Sequence, residues 1–226
     1  MNHNQAKFSP INARVLLALK SAAVLGIAVA TLGIVYSLDT IRRTQTPPTQ
    51  TAGTPLAGQY RFQVGTPGPG TMAPNVRLAS SDGSEFNLAA LRGKTVLLFF
   101  QEGIMCPACW DQIRDIEANF AQFQALGIDQ MVSISTDSLD VLKQKDAIDH
   151  YQTPLLSDPN LAVSHTYTTN QYGMMGDHMN GHSFILVGPD GQILWRADYG
   201  GAPDYTMFVP TRNLIADMQQ GLNRVQ

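Results

Sequence analysis

The stretch Thr95-Val-Leu-Leu-Phe-Phe-Gln-Glu-Gly-Ile-Met-Cys106-Pro-Ala-Cys109-Trp110 carries a strand, a loop and the start of a helix in direct succession. Thr95 to Phe100 is a continuous apolar run without polar alternation, the pattern of a central strand covered on both faces. Pro107 suits the first position of a helix, where its missing N–H breaks no bond. Trp110, Ile113, Ile116, Phe120, Phe123 and Leu126 follow at spacings of three or four, and Gly127 ends the stripe. This spacing predicts one helix with a core-facing side.

Outward from this stretch the elements alternate. Asn75 to Ala79 and Glu85 to Leu88 read as a hairpin with Asp82-Gly83 at its turn. Leu88 to Leu91 suits a short helix ended by Gly93. Gln130 to Ser135 is a further strand. Ser138 to His150 is a helix with Asp137 as its expected N-cap, and Leu161 to Tyr167 is a short one. Phe184 to Val187 and Ile193 to Ala197 form a hairpin around the Gly188-Pro-Asp-Gly191 turn. Pro210 opens a last helix with Leu214, Ile215, Met218 and Leu222 on its apolar side. Strands alternating with helices imply an α/β fold, a mixed sheet covered on both faces. No internal repeat is visible.

The chain has only two cysteines, Cys106 and Cys109, three positions apart. A disulfide closing so short a loop removes little chain entropy, so its use is chemical rather than structural. Cys106 falls at the junction of a strand loop and a helix N-terminus, where unpaired N–H groups and the helix dipole favour a thiolate. Cys109, one turn on, is placed to attack a mixed disulfide at Cys106 and release the partner. A zinc site would need a second cysteine pair or histidines in support. A C-x-x-C at a strand-to-helix junction points to redox exchange. The expected catalytic residues are therefore Cys106 as nucleophile and Cys109 as resolving thiol, with no cofactor.

Ahead of this region, Ser21 to Leu38 is a run of 18 residues without a charge, extended by Val15 to Leu19. That length crosses a bilayer core of ~30 Å as a helix. Lys7, Arg14 and Lys20 precede the run and Arg42 and Arg43 follow it, so the positive-inside rule favours an outward C-terminal part. Residues 1–14 then form a cytoplasmic tail and 15–38 a single-pass membrane anchor. The Thr-, Pro- and Gly-rich stretch 39–71 is a flexible linker, and 72–226 are an extracytoplasmic redox domain. With 15 basic against 18 acidic residues the net charge is −3, which argues against nucleic-acid partners.

Ala73-Pro74-Asn75, Asp82-Gly83, Leu88 to Val96, the cysteine element and Phe184 to Gly191 resemble the peroxiredoxin and membrane-tethered thioredoxin-like group over roughly Met72 to Gly221. The resemblance implies a thioredoxin fold with an N-terminal β-hairpin extension, and either thiol–disulfide exchange or peroxide reduction. Peroxiredoxins carry Pro seven and Thr or Ser three residues before the reactive cysteine; those positions here are Phe99 and Gly103. Their arginine before the strand starting at Phe184 is replaced by Asn180-Gly181-His182-Ser183. Thioredoxins place a cis-proline in that same stretch, absent here, and Met105 stands where they have a tryptophan. These departures shift the expectation toward protein disulfides, with extracytoplasmic proteins as partners and a membrane electron donor to recycle the pair. Peroxides are the alternative substrate.

A third reading comes from Met174, Met175, Asp177, His178, Met179 and His182, soft and imidazole groups that suit copper(I). It makes the protein a copper-binding chaperone. The more economical reading is an irregular insertion in which methionines fill gaps. His182 adjoins the strand that faces Cys106 and is the residue expected to bond its thiolate. Glu102 reads as a solvated loop carboxylate, with proton relay to Cys109 as the alternative.

Overall fold

The computed structural model describes residues 55–223. Seven strands form one mixed sheet: β1 Arg77–Ser80, β2 Glu85–Asn87, β3 Val96–Phe100, β4 Gln130–Ser135, β5 Leu155–Ser157, β6 Ser183–Val187 and β7 Ile193–Asp198, in the order β2-β1-β5-β4-β3-β6-β7. β3 runs parallel to β4, and β4 to β5, while β6 pairs antiparallel with β3 and with β7. β1 and β2 form an antiparallel pair that joins the sheet through β5.

Strand periodicity explains the two cores. Leu97 and Phe99 of β3 point into one, Val96, Leu98 and Phe100 into the other, and all five are buried. The first core is covered by helix α1, Pro107–Ala118, through Trp110, Ile113 and Ile116, and by Phe123 of the short α2, Phe120–Gln124. α3, Leu139–Asp149, adds Leu142. The second core is closed by Val163 of α4, Ala162–Thr166, and by Tyr167, Val76 and Leu88. The last helix, α5, Thr211–Asn223, presses Leu214, Ile215 and Met218 onto the first core, which is the stripe expected for it.

Three expectations are corrected, and one strand was not foreseen. The single helix expected from Pro107 to Leu126 breaks at Asn119, whose side-chain Nδ2 donates to the Asp115 carbonyl at 2.8 Å and leaves the helical conformation. Its apolar stripe continues in α2 because Phe123 still reaches the core. Asp137 does not cap α3; Ser138 is the N-cap residue and makes no side-chain cap bond. The strand β5 carries no sequence signal beyond two leucines after Pro154, because three residues are too few to show a period.

The linker expected over 39–71 is corrected from residue 55 onward. Gln63 bridges to Asp198 at the free edge of β7 through two backbone bonds of 2.9 and 3.0 Å. The Gly58 N–H donates to Asp217 at 2.6 Å, and the Asn213 side chain donates to the Leu56 carbonyl. Gly70 and Ala73 bond to Ile193 and Gly191. Phe62 lies edge-on to Trp195 and Tyr199, with centroids 6.2 and 5.2 Å away. Composition misled here because Pro, Gly and Gln need no core of their own when a sheet edge supplies partners. Among the described residues no helix is long and apolar enough to cross a membrane. The expected anchor at 15–38 lies outside the described residues, as do the tail and the first part of the linker.

Candidate active site

The cysteines sit where β3 hands over to α1. After Phe100 the chain turns through Gln101 and Glu102 into a single 3-10 turn, Gly103–Met105, and enters α1 at Pro107. Cys106 is the N-cap residue of α1. Its Sγ accepts the Cys109 backbone N–H at 3.2 Å, so one of the free donors at the helix start already points at this sulfur. Cys106 and Cys109 are joined in a disulfide with Cα atoms 5.3 Å apart. Cys106 keeps 5 % exposure and Cys109 none, so only the first cysteine reaches solvent.

The approach turn is held from three sides. Trp110 donates its indole N–H to the Gly103 carbonyl at 3.0 Å. Gln101 accepts the Gly103 N–H at 2.7 Å. Asp137 accepts the Ile104 N–H and the Ser135 hydroxyl, both at 2.9 Å. That explains why Asp137 is lost to the α3 cap. Burial raises its carboxyl above the ordinary range, partly countered by these two bonds. Gly103 has φ +84°, and a Cβ there would fall on the Asp137 carboxylate. A threonine three residues before Cys106 has no room in this arrangement. Phe99 is likewise unlike a proline position: it lies inside β3, paired with Ser133 and with Phe184, and stacks on Phe184 with centroids 4.5 Å apart.

Two residues read differently in three dimensions. Glu102 is 3 % exposed, not solvated, and its Oε1 accepts the Met174 N–H at 2.8 Å. This bond ties the methionine-containing loop to the turn before Cys106. His182 does not contact Cys106. Its Nδ1 lies 3.8 Å from Cys109 Sγ, while Nε2 has no partner among the described residues. The ring is fully buried against the edges of Phe99 and Phe184, 4.9 and 5.3 Å away between centroids. Burial alone pushes its pKa down to about 3, so the imidazole is neutral across the physiological range. His178 by contrast is exposed on a 3-10 turn, with Met174 and Met175 exposed nearby in sequence. The two histidines of the proposed copper set thus occupy opposite environments. Among the described residues no three or more His, Cys, Asp or Glu side chains gather into a metal-binding group. The one arginine of β7, Arg196, is buried in a pair with Asp198, with Nε and Nη2 at 2.8 and 3.0 Å from its carboxylate oxygens.

The AhpC/TSA family model matches residues 69–196, more than half of the 226-residue chain. The chain belongs to the AhpC/TSA family. As a member of this peroxiredoxin and thioredoxin-like superfamily it is a thiol enzyme, a thiol–disulfide oxidoreductase or thiol peroxidase. Family relatives include Rv2521, a candidate peroxiredoxin of Mycobacterium tuberculosis, 32 % identical over 131 residues that cover 56 % of this chain and 82 % of that protein. Peroxiredoxin Bcp of Escherichia coli K12 is 29 % identical over 127 residues, covering 55 % and 81 %. Peroxidoxin BcpB of M. tuberculosis has the same α/β fold, with a TM-score of 0.56 at 19 % identity over 70 % of this chain and 98 % of that one. Phe99, Gly103 and His182 are the positions at which this chain's site departs from the arrangement its resemblance led one to expect.

Proposed function

We propose that this protein is a two-cysteine thiol peroxidase in which Cys106 attacks the peroxide and Cys109 resolves. The Cys106 thiolate breaks the O–O bond, becomes a sulfenic acid and releases water or an alcohol. Cys109 then condenses with it, giving the disulfide and a second water. The observation that carries this reading is Cys106 at the N-cap of α1 with a backbone N–H on its sulfur and a second cysteine in bonding contact one turn away. Peroxiredoxin relatives add support, among them Bcp. Ile104 and Met105, 43 % and 72 % exposed immediately before Cys106, give the approach an apolar rim that suits organic hydroperoxides.

The test is peroxide consumption by the reduced full chain, with hydrogen peroxide and tert-butyl hydroperoxide compared and a dithiol as reductant. Cys106→Ser should abolish turnover, and Cys109→Ser should stop at a sulfenic acid that dimedone traps. Thiol–disulfide exchange is the second reading. It is favoured by the peroxide-side groups that are not present around Cys106: Phe99 is in the core, Gly103 has no side chain, and Arg196 is held by Asp198. Insulin-disulfide reduction without peroxide turnover would decide for it.

The apolar run 15–38 leads us to infer a single-pass anchor with the enzyme outside the cytoplasm, drawing electrons from extracytoplasmic thiols. Carbonate extraction of membranes, and a reporter fused after residue 226, test anchor and orientation separately.

A further inference from the structure

We propose that His182 is the base that takes the proton of Cys109 when the cysteine pair closes; the inference rests on the two-step thiol chemistry above and adds a residue to it. Cys109 is fully buried, so no bulk water can receive its proton, and burial disfavours its thiolate. Nδ1 of His182 is the polar side-chain atom in contact with Cys109 Sγ among the described residues, at 3.8 Å, near the limit of a sulfur hydrogen bond. Opening the disulfide frees this sulfur to turn toward the ring.

The main chain that carries the ring is fixed. The backbone N–H of His182 donates to the Tyr172 carbonyl at 3.0 Å, and its own carbonyl accepts the Tyr199 and Gly200 N–H groups at 2.8 and 3.2 Å. Gly181 lies so close to Tyr172 that any Cβ there would collide with its carbonyl, which keeps the segment pressed against the sheet. Phe99 and Phe184 pack apolar surface against the ring. A residue serving only to fill it would be apolar, because a buried nitrogen without a partner, as Nε2 is, is costly. The groups in contact with the ring are Cys109 from α1, Phe99 from β3 and Phe184 from β6. Burial keeps the ring neutral at neutral pH, and in the proposed role it carries its proton on Nε2 and its lone pair on Nδ1. A thiolate forming beside it supplies the missing opposite charge and raises its basicity at the moment of transfer.

In the closing step the Cys109 S–H proton passes to Nδ1 while Sγ attacks Cys106 Sγ. The S–O bond of the sulfenic acid breaks on the side of Cys106 away from Cys109, and the leaving hydroxide takes up a solvent proton there to depart as water, while the imidazolium gives up its own proton and returns to neutral. Cys109 sulfur is oxidised and Cys106 sulfur reduced by the same electron pair. The same transfer operates when the leaving group is a partner's thiolate, which then departs as a thiol.

The experiment uses the reduced full chain and its His182→Asn and His182→Phe variants, mixed rapidly with hydrogen peroxide. Dimedone trapping times sulfenic acid formation, and disulfide formation is timed separately. Both variants should place the loss on the closing step, slowed about 10²-fold, the size of a general-base contribution, with sulfenic acid accumulating. If wild type consumes no peroxide, the peroxidase reading fails. The closing step is then timed from a nitrobenzoate mixed disulfide on Cys106, with the same expected slowing. A readout free of turnover is the Cys109 pKa in Cys106→Ser, followed by thiolate absorbance near 240 nm; adding His182→Asn should raise it by about a unit or more. Nitrogen NMR of wild type, which needs no variant, should show the His182 Nδ1 resonance shift on reduction of the pair. Unchanged closing rates together with an unchanged Cys109 pKa would overturn the proposal.

Discussion

Cys106 and Cys109 share one turn of one helix but have different surroundings. Cys106 caps the helix start and retains a little exposure, while Cys109 is sealed beside His182. The His182 burial has a consequence for acid stability. Its ordinary value of 6.5 is pushed down to about 3 in the fold, so between these limits the unfolded chain binds a proton that the native chain refuses. Its contribution to stability is complete above pH 6.5 and is lost as the pH falls toward 3, by up to about 5 kcal/mol. Urea unfolding at pH 7 and pH 4.5 should show wild type losing about 3 kcal/mol more than His182→Phe over that interval. At Gly103 the prediction runs against the family resemblance. Gly103→Thr installs the residue a peroxiredoxin carries, yet it must adopt φ +84° and displace Asp137. It should cost about 2 kcal/mol or more in a denaturant titration and should not raise peroxide turnover.

Among elements, β7 carries more than its hairpin. Arg196 and Asp198 lie two apart on one face, fully buried, and Asp198 also accepts the Gly65 N–H at 2.7 Å. Arg196 Nη1 donates to the Pro67 carbonyl at 3.0 Å. Asp198→Asn leaves a buried guanidinium without its counter-charge and should destabilise the fold by about 3–5 kcal/mol, read from the urea midpoint. The helices were largely legible from spacing alone: the Leu214, Ile215, Met218 stripe is the buried side of α5. The break at Asn119 was not, because a capping amide inside an apolar stripe looks like any polar position until its bond to Asp115 is seen. Glu102 and Asp137 were misread for a related reason. Their partners, the Met174 and Ile104 N–H groups, are 72 and 33 positions away.

For the molecule as a whole, the segment from residue 55 belongs to the fold. A chain beginning at residue 72 would lose the Gln63 bridge, the Gly65 and Pro67 bonds to the Arg196–Asp198 pair and the Gly58 bond to Asp217. It should melt well below a chain beginning at residue 55, with a difference of about 3 kcal/mol or more by denaturant titration. By itself the sequence determined the strand, the helix start and the cysteine spacing at Thr95 to Trp110, because these depend on neighbours within a few residues. It also determined the alternation that makes a mixed sheet. Only the tertiary structure decided that His182 meets Cys109 rather than Cys106, that Asp137 holds the reactive turn and that residues 55–71 line β7. Each of those depends on contacts between residues far apart in the chain, and local pattern carries no record of where a polar side chain finds its partner.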